Sequence, residues 1–114
     1  MKLITKNGFI RIGNDVISAI ASYSAMNCFG VKAISRRKPR VRSGASSAVR
    51  PRGAKVTVEN RKVCIDLRIA MEHGVNMRAV GMSIMEEVRY MVESTTGIKV
   101  GRVNIFVDSV VVST

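Results

Sequence analysis

The stretch EHGVNMRAVGMSIMEEV, residues 72–88, contains the residue types that could do chemistry, including the single histidine of the chain. His73 could ligate a metal ion. However, no cysteine or second histidine lies near it, so a zinc site would need Glu72 and residues distant in sequence. We therefore interpret His73 as a turn residue between a strand and a helix, and we predict no metal site and no cofactor.

The methionines around this stretch could instead form a site for a soft metal. Met77, Met85 and Met91 recur at helical spacing on one apolar face, whereas Met82 falls off that face. Methionine readily fills irregular gaps in a core that has few aromatic side chains. Core filling is therefore the favoured interpretation for the three methionines on the apolar face.

Motifs of known catalytic sites are absent from the sequence. It has no GxGxxG, Walker, GxSxG or HExxH pattern, and its eight acidic residues are scattered. Glu86 and Glu87 are neighbours on a helix and so point in different directions. Gly74 is predicted to permit a tight turn and Gly81 a close approach of helix to sheet, without any bound phosphate. We predict that the protein is not an enzyme.

The net charge of +11 is concentrated in one segment. Residues 36–53 include both prolines, with glycines and serines, which is typical of a solvated flexible loop. No aromatic residue for base stacking lies in this loop, so binding to nucleic acid or acidic lipid would be electrostatic and unspecific. The candidate anion-binding residues are Arg36, Arg37, Lys38, Arg40, Arg42, Arg50, Arg52 and Lys55.

The first half of the chain predicts a strand, a helix and a second short strand. GFIRI alternates before Gly13, and a helix follows that Asn14 or Asp15 can cap and that Gly30 ends. VKAIS is a further short strand. The predicted inner face of the helix comprises Val16, Ile17, Ile20, Ala21, Ser24 and Cys28.

The second half predicts a β-hairpin, a covering helix and a last strand. After the turn ENRK, apolar residues occupy every second position from Val63 to Met71, so one face of the hairpin is apolar and needs a cover. The cover is a helix capped by Asn76 and closed by Gly97, followed by a strand around Val103–Val107. The order β-α-(β)-ββ-α-β predicts an α+β fold, a two-layer sandwich with two helices on one face of a mixed sheet.

Length and composition favour a single domain over residues 1–114. Hydrophobic residues make up 46% of the chain and aromatics only 4%, which is typical of a globular core of Val, Ile, Ala and Met. No apolar run approaches the ~20 residues of a membrane span, and no signal peptide is recognisable, so we expect a cytoplasmic protein. Cys28 and Cys64 are predicted to be buried free thiols.

The order of motifs resembles the alkaline shock protein family of bacterial envelope stress-response proteins. The resemblance covers GFIRIGNDVISAIASYSAMNCFGV and VCIDLRIAMEHGVNMRAVGMSIMEEVRYMVESTTGIKVGRVNIFVDSV, which is most of the chain outside residues 35–54. The family pattern has a G-x-I-x-I strand, a V-I-x-x-I-A helix, a Y-G-x-N-I turn and a V-N-I-x-V strand. His73 departs from the usual Tyr of that turn, Met85 from a common Gln, and the arginine-rich segment is unusual.

The resemblance implies a non-enzymatic scaffold of Gram-positive type in cell-envelope homeostasis. It would act through protein–protein contacts in the cytoplasm, at the inner face of the membrane where a membrane-anchored partner recruits it, and some members self-associate. No small-molecule substrate is expected. The alternative, which rests on the charge distribution, is an accessory nucleic-acid-binding protein that uses the arginine-rich loop electrostatically.

Overall fold

The computed structural model describes residues 1–34 and 54–112. The predicted α+β fold is confirmed, with two helices over one face of a mixed sheet. In chain order the elements are β1 (Lys2–Thr5), β2 (Gly8–Arg11), α1 (Asn14–Met26), β3 (Val31–Ile34), β4 (Ala54–Glu59), β5 (Lys62–Glu72), α2 (Met77–Thr96) and β6 (Val100–Val111).

Strand β5 is the central strand of the main sheet. Strand β6 runs parallel to it along Val63–Glu72. Strands β4 and β3 are both antiparallel to β5 and pair with its first and last parts, respectively. Because β6 occupies one edge of β5 over nearly its whole length, β3 and β4 must share the other edge.

The junction between β3 and β4 is narrow. Ile34 lies opposite Ile69 and Ala54 lies opposite Leu67, so a single β5 residue separates the two points. An uninterrupted strand would need one residue there, yet the chain contains residues 35–53 between these two ends. The flexible loop predicted at 36–53 lies outside the described residues.

The core lies between the sheet and the two helices. As predicted, alternate β5 side chains are fully buried: Val63, Ile65, Leu67, Ile69 and Met71. Helix α2 covers them with Ile84, Val88 and Val92, and α1 contributes Ile17, Ala21 and Ala25. The alternate residues of β5, beginning with Cys64 and Asp66, point to the uncovered face.

The local signals around β5 and α2 are confirmed. Asn60 and Arg61 form the hairpin turn with φ of 51° and 64°, the left-handed conformation that two-residue hairpin turns require. Asn76 Oδ1 accepts a hydrogen bond from the Ala79 N–H at 3.1 Å and so caps α2. Gly97 ends the helix at φ 78°.

The predicted boundaries of α1 are wrong at both ends. Neither Asn14 nor Asp15 caps the helix, because Gly13 holds the N-cap position and makes no side-chain cap bond. The helix ends at Met26, and Gly30 lies in the turn into β3 with φ 90°. Val16 is 50% exposed, since the stripe through Ile17 rotates it to the flank.

An N-terminal hairpin of β1 and β2 stands apart from the main sheet, and β1 was not predicted. Its inward residue Leu3 packs against the core, while Ile4 and Phe9 are exposed. The ammonium of Lys2 lies 4.3 Å from the centroid of the Phe9 ring. The sequence KLIT places apolar residues on both faces and so gives no alternation signal.

Replacement of Leu67 with Ala should lower the free energy of unfolding by about 2–5 kcal/mol, because Leu67 is fully buried on the central strand. Denaturant unfolding measures the change. Ile4→Ala is the matched control, since Ile4 is 82% exposed and its loss should change stability by less than about 0.5 kcal/mol. Equal effects of the two substitutions would show that the assigned buried face is wrong.

Candidate interaction surfaces

An apolar groove runs between the first half of α2 and the edge strand β6. Its volume is about 320 Å³. Arg78 is the one charged residue in its lining. The other lining residues are Met71, Met77, Gly81, Met82, Met85, Ile105 and Val107.

The exposed methionines of α2 correct the prediction of core filling. Met77 and Met85 are 45% and 38% exposed, and Met82 is 55% exposed. Met91 is half-buried. The physical reason is the position of β6: it is the outer strand of the described sheet, so no described element packs beyond it against this side of α2.

The predicted close approach of helix and sheet at Gly81 is also wrong. A Cβ atom at this position would meet no heavy atom within 4 Å. Gly81 is nevertheless buried, because it lies in the lining of the groove. The missing side chain therefore leaves the groove open, and it does not bring two backbones together.

The uncovered face of the sheet carries a polar network along β5 and β6. Arg68 Nη1 lies 3.2 Å from Asp108 Oδ1, and its guanidinium lies 5.4 Å from the centroid of the Phe106 ring. The Asn104 amide donates to Asp66 Oδ1 at 2.9 Å. These contacts join exposed or half-buried groups, so this face is polar and accessible.

The predicted anion-binding residues are not brought together in the described part of the chain. Seven of them, from Arg36 to Arg52, lie outside the described residues. Lys55 is exposed on β4, with its Cα opposite that of Asp66. The interpretation of this segment as an anion-binding loop stays a prediction.

His73 lies in the turn between β5 and α2, as predicted, and is exposed. Its backbone N–H donates to the Val111 carbonyl at 2.9 Å, and Gly74 adopts φ 95° in the same turn. Within residues 1–34 and 54–112, no three His, Cys, Asp or Glu side chains are grouped to hold a metal ion. No helix in these ranges is long and apolar enough to cross a bilayer.

The two cysteines are free thiols but are not fully buried. Cys28 and Cys64 are both half-buried, which corrects the predicted burial. Partial burial raises the pKa of the Cys28 thiol above its ordinary value, and the nearby carboxylate of Glu87 raises it further. Cys28 is therefore protonated at neutral pH and poorly suited to act as a nucleophile.

The groove and the free strand edge were both missed by the sequence reasoning. Met82 gave the best available signal, because an apolar residue outside the core stripe and beside Gly81 widens the apolar surface of α2 beyond one contact face. No pattern within β6 marks it as an edge strand, since Val103, Ile105 and Val107 alternate just as the buried residues of β5 do.

Gly81→Ala should raise the free energy of unfolding by about 0.5–1 kcal/mol, because glycine within a helix is less favourable than alanine and the added methyl group meets no atom. Denaturant unfolding measures the difference. Gly97→Ala is the matched control: its Cβ would also meet nothing within 4 Å, but its φ of 78° strains any L-residue. We expect that control to lose stability, and a loss in Gly81→Ala as well would mean that the groove is filled.

Comparison with solved structures agrees with the fold. A valine-to-arginine variant of MamM matches with a TM-score of 0.53 and 10% identity, covering 87% of this chain and 99% of that one. The manganese form of a MamM CTD variant matches with a TM-score of 0.51 and 10% identity, covering 85% and 99%. At this identity the likeness concerns the fold alone.

Comparison with curated proteins finds full-length relatives. YloU of Bacillus subtilis (strain 168) is 32% identical over 114 residues, covering 96% of this chain and 94% of YloU. Spy1614 of Streptococcus pyogenes serotype M6 is 28% identical, covering 96% and 93%. Both carry names that describe them as uncharacterized. A family model matches residues 2–112, and the chain therefore belongs to the alkaline shock protein 23 family, whose description is a cell envelope-related function.

Proposed function

We propose that this protein is a non-enzymatic scaffold in cell-envelope homeostasis that binds a partner protein through the groove between α2 and β6. Membership of a family with a cell envelope-related function supports the setting. The groove supports the mode of action, because it is the observation that gives the protein an accessible apolar binding surface.

The composition of the groove suits a protein segment better than a defined small molecule. Flexible methionines such as Met77, Met82 and Met85 adapt to differently shaped apolar side chains. The exposed side chains are contiguous, whereas isolated exposed apolar residues are normal on any protein surface. A segment with one apolar face is therefore the proposed occupant.

The charge at the groove narrows the choice of partner. Arg78 lies in the lining, and no acidic residue does. An acidic residue beside the apolar face of the partner would pair with Arg78, which favours the correct partner over others. We therefore propose a partner segment that is apolar on one face and acidic at its flank.

Met82→Glu should abolish this interaction, because it places a carboxylate in the apolar lining of the groove. The measurement is complementation: a strain that lacks the gene is given each variant and tested for envelope-stress tolerance, and nuclease-treated pull-downs follow partner capture. We expect Met82→Glu to fold, since Met82 is 55% exposed, and to fail in both assays.

Ser83→Glu is the matched control for this experiment. Ser83 is exposed on the same helix, next to Met82, and does not line the groove. It receives the same charge and should support growth and partner capture as the original chain does. Loss of function in both variants, or in neither, would contradict binding through the groove.

The rival function, electrostatic binding of nucleic acid through the arginine-rich segment, has a structural test of its own. Replacement of residues 36–53 with a short Gly/Ser linker should leave the thermal transition nearly unchanged. Ile34 and Ala54 end opposite β5 positions only two residues apart, and loop-closure entropy varies slowly with length. Retention on heparin or RNA should fall sharply, since a salt dependence of roughly 0.9 log units per phosphate contact on duplex is lost with the cations.

A second variant separates charge from length. It keeps all residues of the segment but replaces the arginines and the lysine at 36–52 with Gln. If both variants lose polyanion binding yet restore envelope-stress tolerance, the scaffold function stands. If both fold normally, keep partner capture and fail in the cell, nucleic-acid binding is the function and the scaffold proposal is wrong.

A further inference from the structure

The outer edge of β6 is free in the described part of the structure. Strand β6 runs over Val100–Val111 and pairs with β5 on one side. Register irregularities around Gly101 and Asp108 bound a regular stretch from Arg102 to Val107. The unpaired backbone groups of such an edge can accept a further strand, and natural proteins commonly protect long edges with charges of one sign.

The charges on β6 are of opposite sign and lie at mirror positions. Arg102 and Asp108 are the charged residues of this strand, each three residues from Ile105. In a symmetric pair of identical strands the two copies run antiparallel, and residue i faces residue j wherever j faces i. A register centred on Ile105 therefore places Arg102 of each copy opposite Asp108 of the other.

We propose that β6 pairs antiparallel with β6 of a second copy of this chain, in the register centred on Ile105. A shift of one residue would place Arg102 opposite Val107 or Ser109 and would leave both charges without a partner. The charge pattern thus selects one register, whereas charges of one sign would repel in every register. This inference goes beyond the proposed function and does not rest on it.

The two faces of β6 agree with the same register. Opposed residues of antiparallel strands point to the same face of the sheet. Arg102 and Asp108 both point to the uncovered face, where they contact Glu59 and Arg68. On the helix-covered face, Val103 of one copy meets Val107 of the other, and this covers Val107, which is 38% exposed.

The existing ion pairs offer little resistance to the pairing. Arg102 Nη2 lies 3.7 Å from Glu59 Oε1, with both side chains more than 60% exposed. An exposed pair of this kind contributes little to stability, so Arg102 can turn toward the second copy at small cost. Asp108 has two carboxylate oxygens and accepts from Arg68 through one of them.

Sedimentation velocity on the nuclease-treated full chain tests the pairing. The original chain should form a dimer. In Arg102→Asp, two aspartates face each other at both ends of the interface, and in Asp108→Arg two arginines do. Each substitution should weaken the dimer by about tenfold or more. Thermal transitions near that of the original chain would show that both variants fold.

A mixture of the two variants provides the decisive arm. One copy then carries two aspartates and the other two arginines, so every facing pair is again of opposite charge, and a heterodimer should form. The double variant should likewise form a homodimer. Glu59→Gln, which removes the intrachain partner of Arg102, should leave the dimer intact, and so should Met82→Glu in the groove.

Three results would overturn the proposal: a monomer at every concentration, a dimer that neither single substitution weakens, or a mixture that fails to restore pairing. Dimerisation by Met82→Glu without partner capture keeps this outcome distinct from that of the proposed function. Partner capture by Arg102→Asp as a monomer would make the same distinction from the other side.

Discussion

The apolar face of β5 is the constraint on which the rest of the structure depends. Five alternate side chains, from Val63 to Met71, are fully buried. Each contributes about 1.5–3 kcal/mol relative to exposure, in a protein class whose net stability is about 5–15 kcal/mol. Because all five point to one side, both helices must cover that side. The opposite face remains polar, and the sheet must end where the helices no longer cover it.

Elements specified by neighbouring residues could be predicted from the sequence. The hairpin turn at Asn60 and Arg61, the Asn76 cap and the Gly97 stop each depend on the local chemistry of one or two residues. The resemblance to the alkaline shock protein family rested on spaced motifs in β2, α1, β5, α2 and β6, all of which lie in described elements, and it is confirmed over residues 2–112.

Features that depend on distant elements could not be predicted in the same way. The alternation in β6 resembles that in β5, yet β5 has partners on both edges and β6 only one in the described structure. Periodicity identifies the inward face of α2, but it does not show that Met77 and Met85 lie beyond the edge of the sheet. The role of Gly81 failed for the same reason, because open space beside a helix depends on what packs there.

The candidate site follows from this architecture and not from any catalytic motif. An edge strand beside a long amphipathic helix leaves an apolar groove on the covered side and free backbone along the rim. The first surface suits a protein segment and the second suits another strand. Both lie outside the arginine-rich segment, so the charge that dominates the composition need not carry the function.

Site-specific photocrosslinking in living cells tests the central claim, partner binding through the groove, most directly. A photoreactive phenylalanine analogue is incorporated at position 82, and in a parallel strain at position 83 on the same helix. The account predicts an adduct with a different protein from position 82, stable to nuclease and absent from position 83. An adduct with nucleic acid from position 82, or equal protein adducts from both positions, would contradict it.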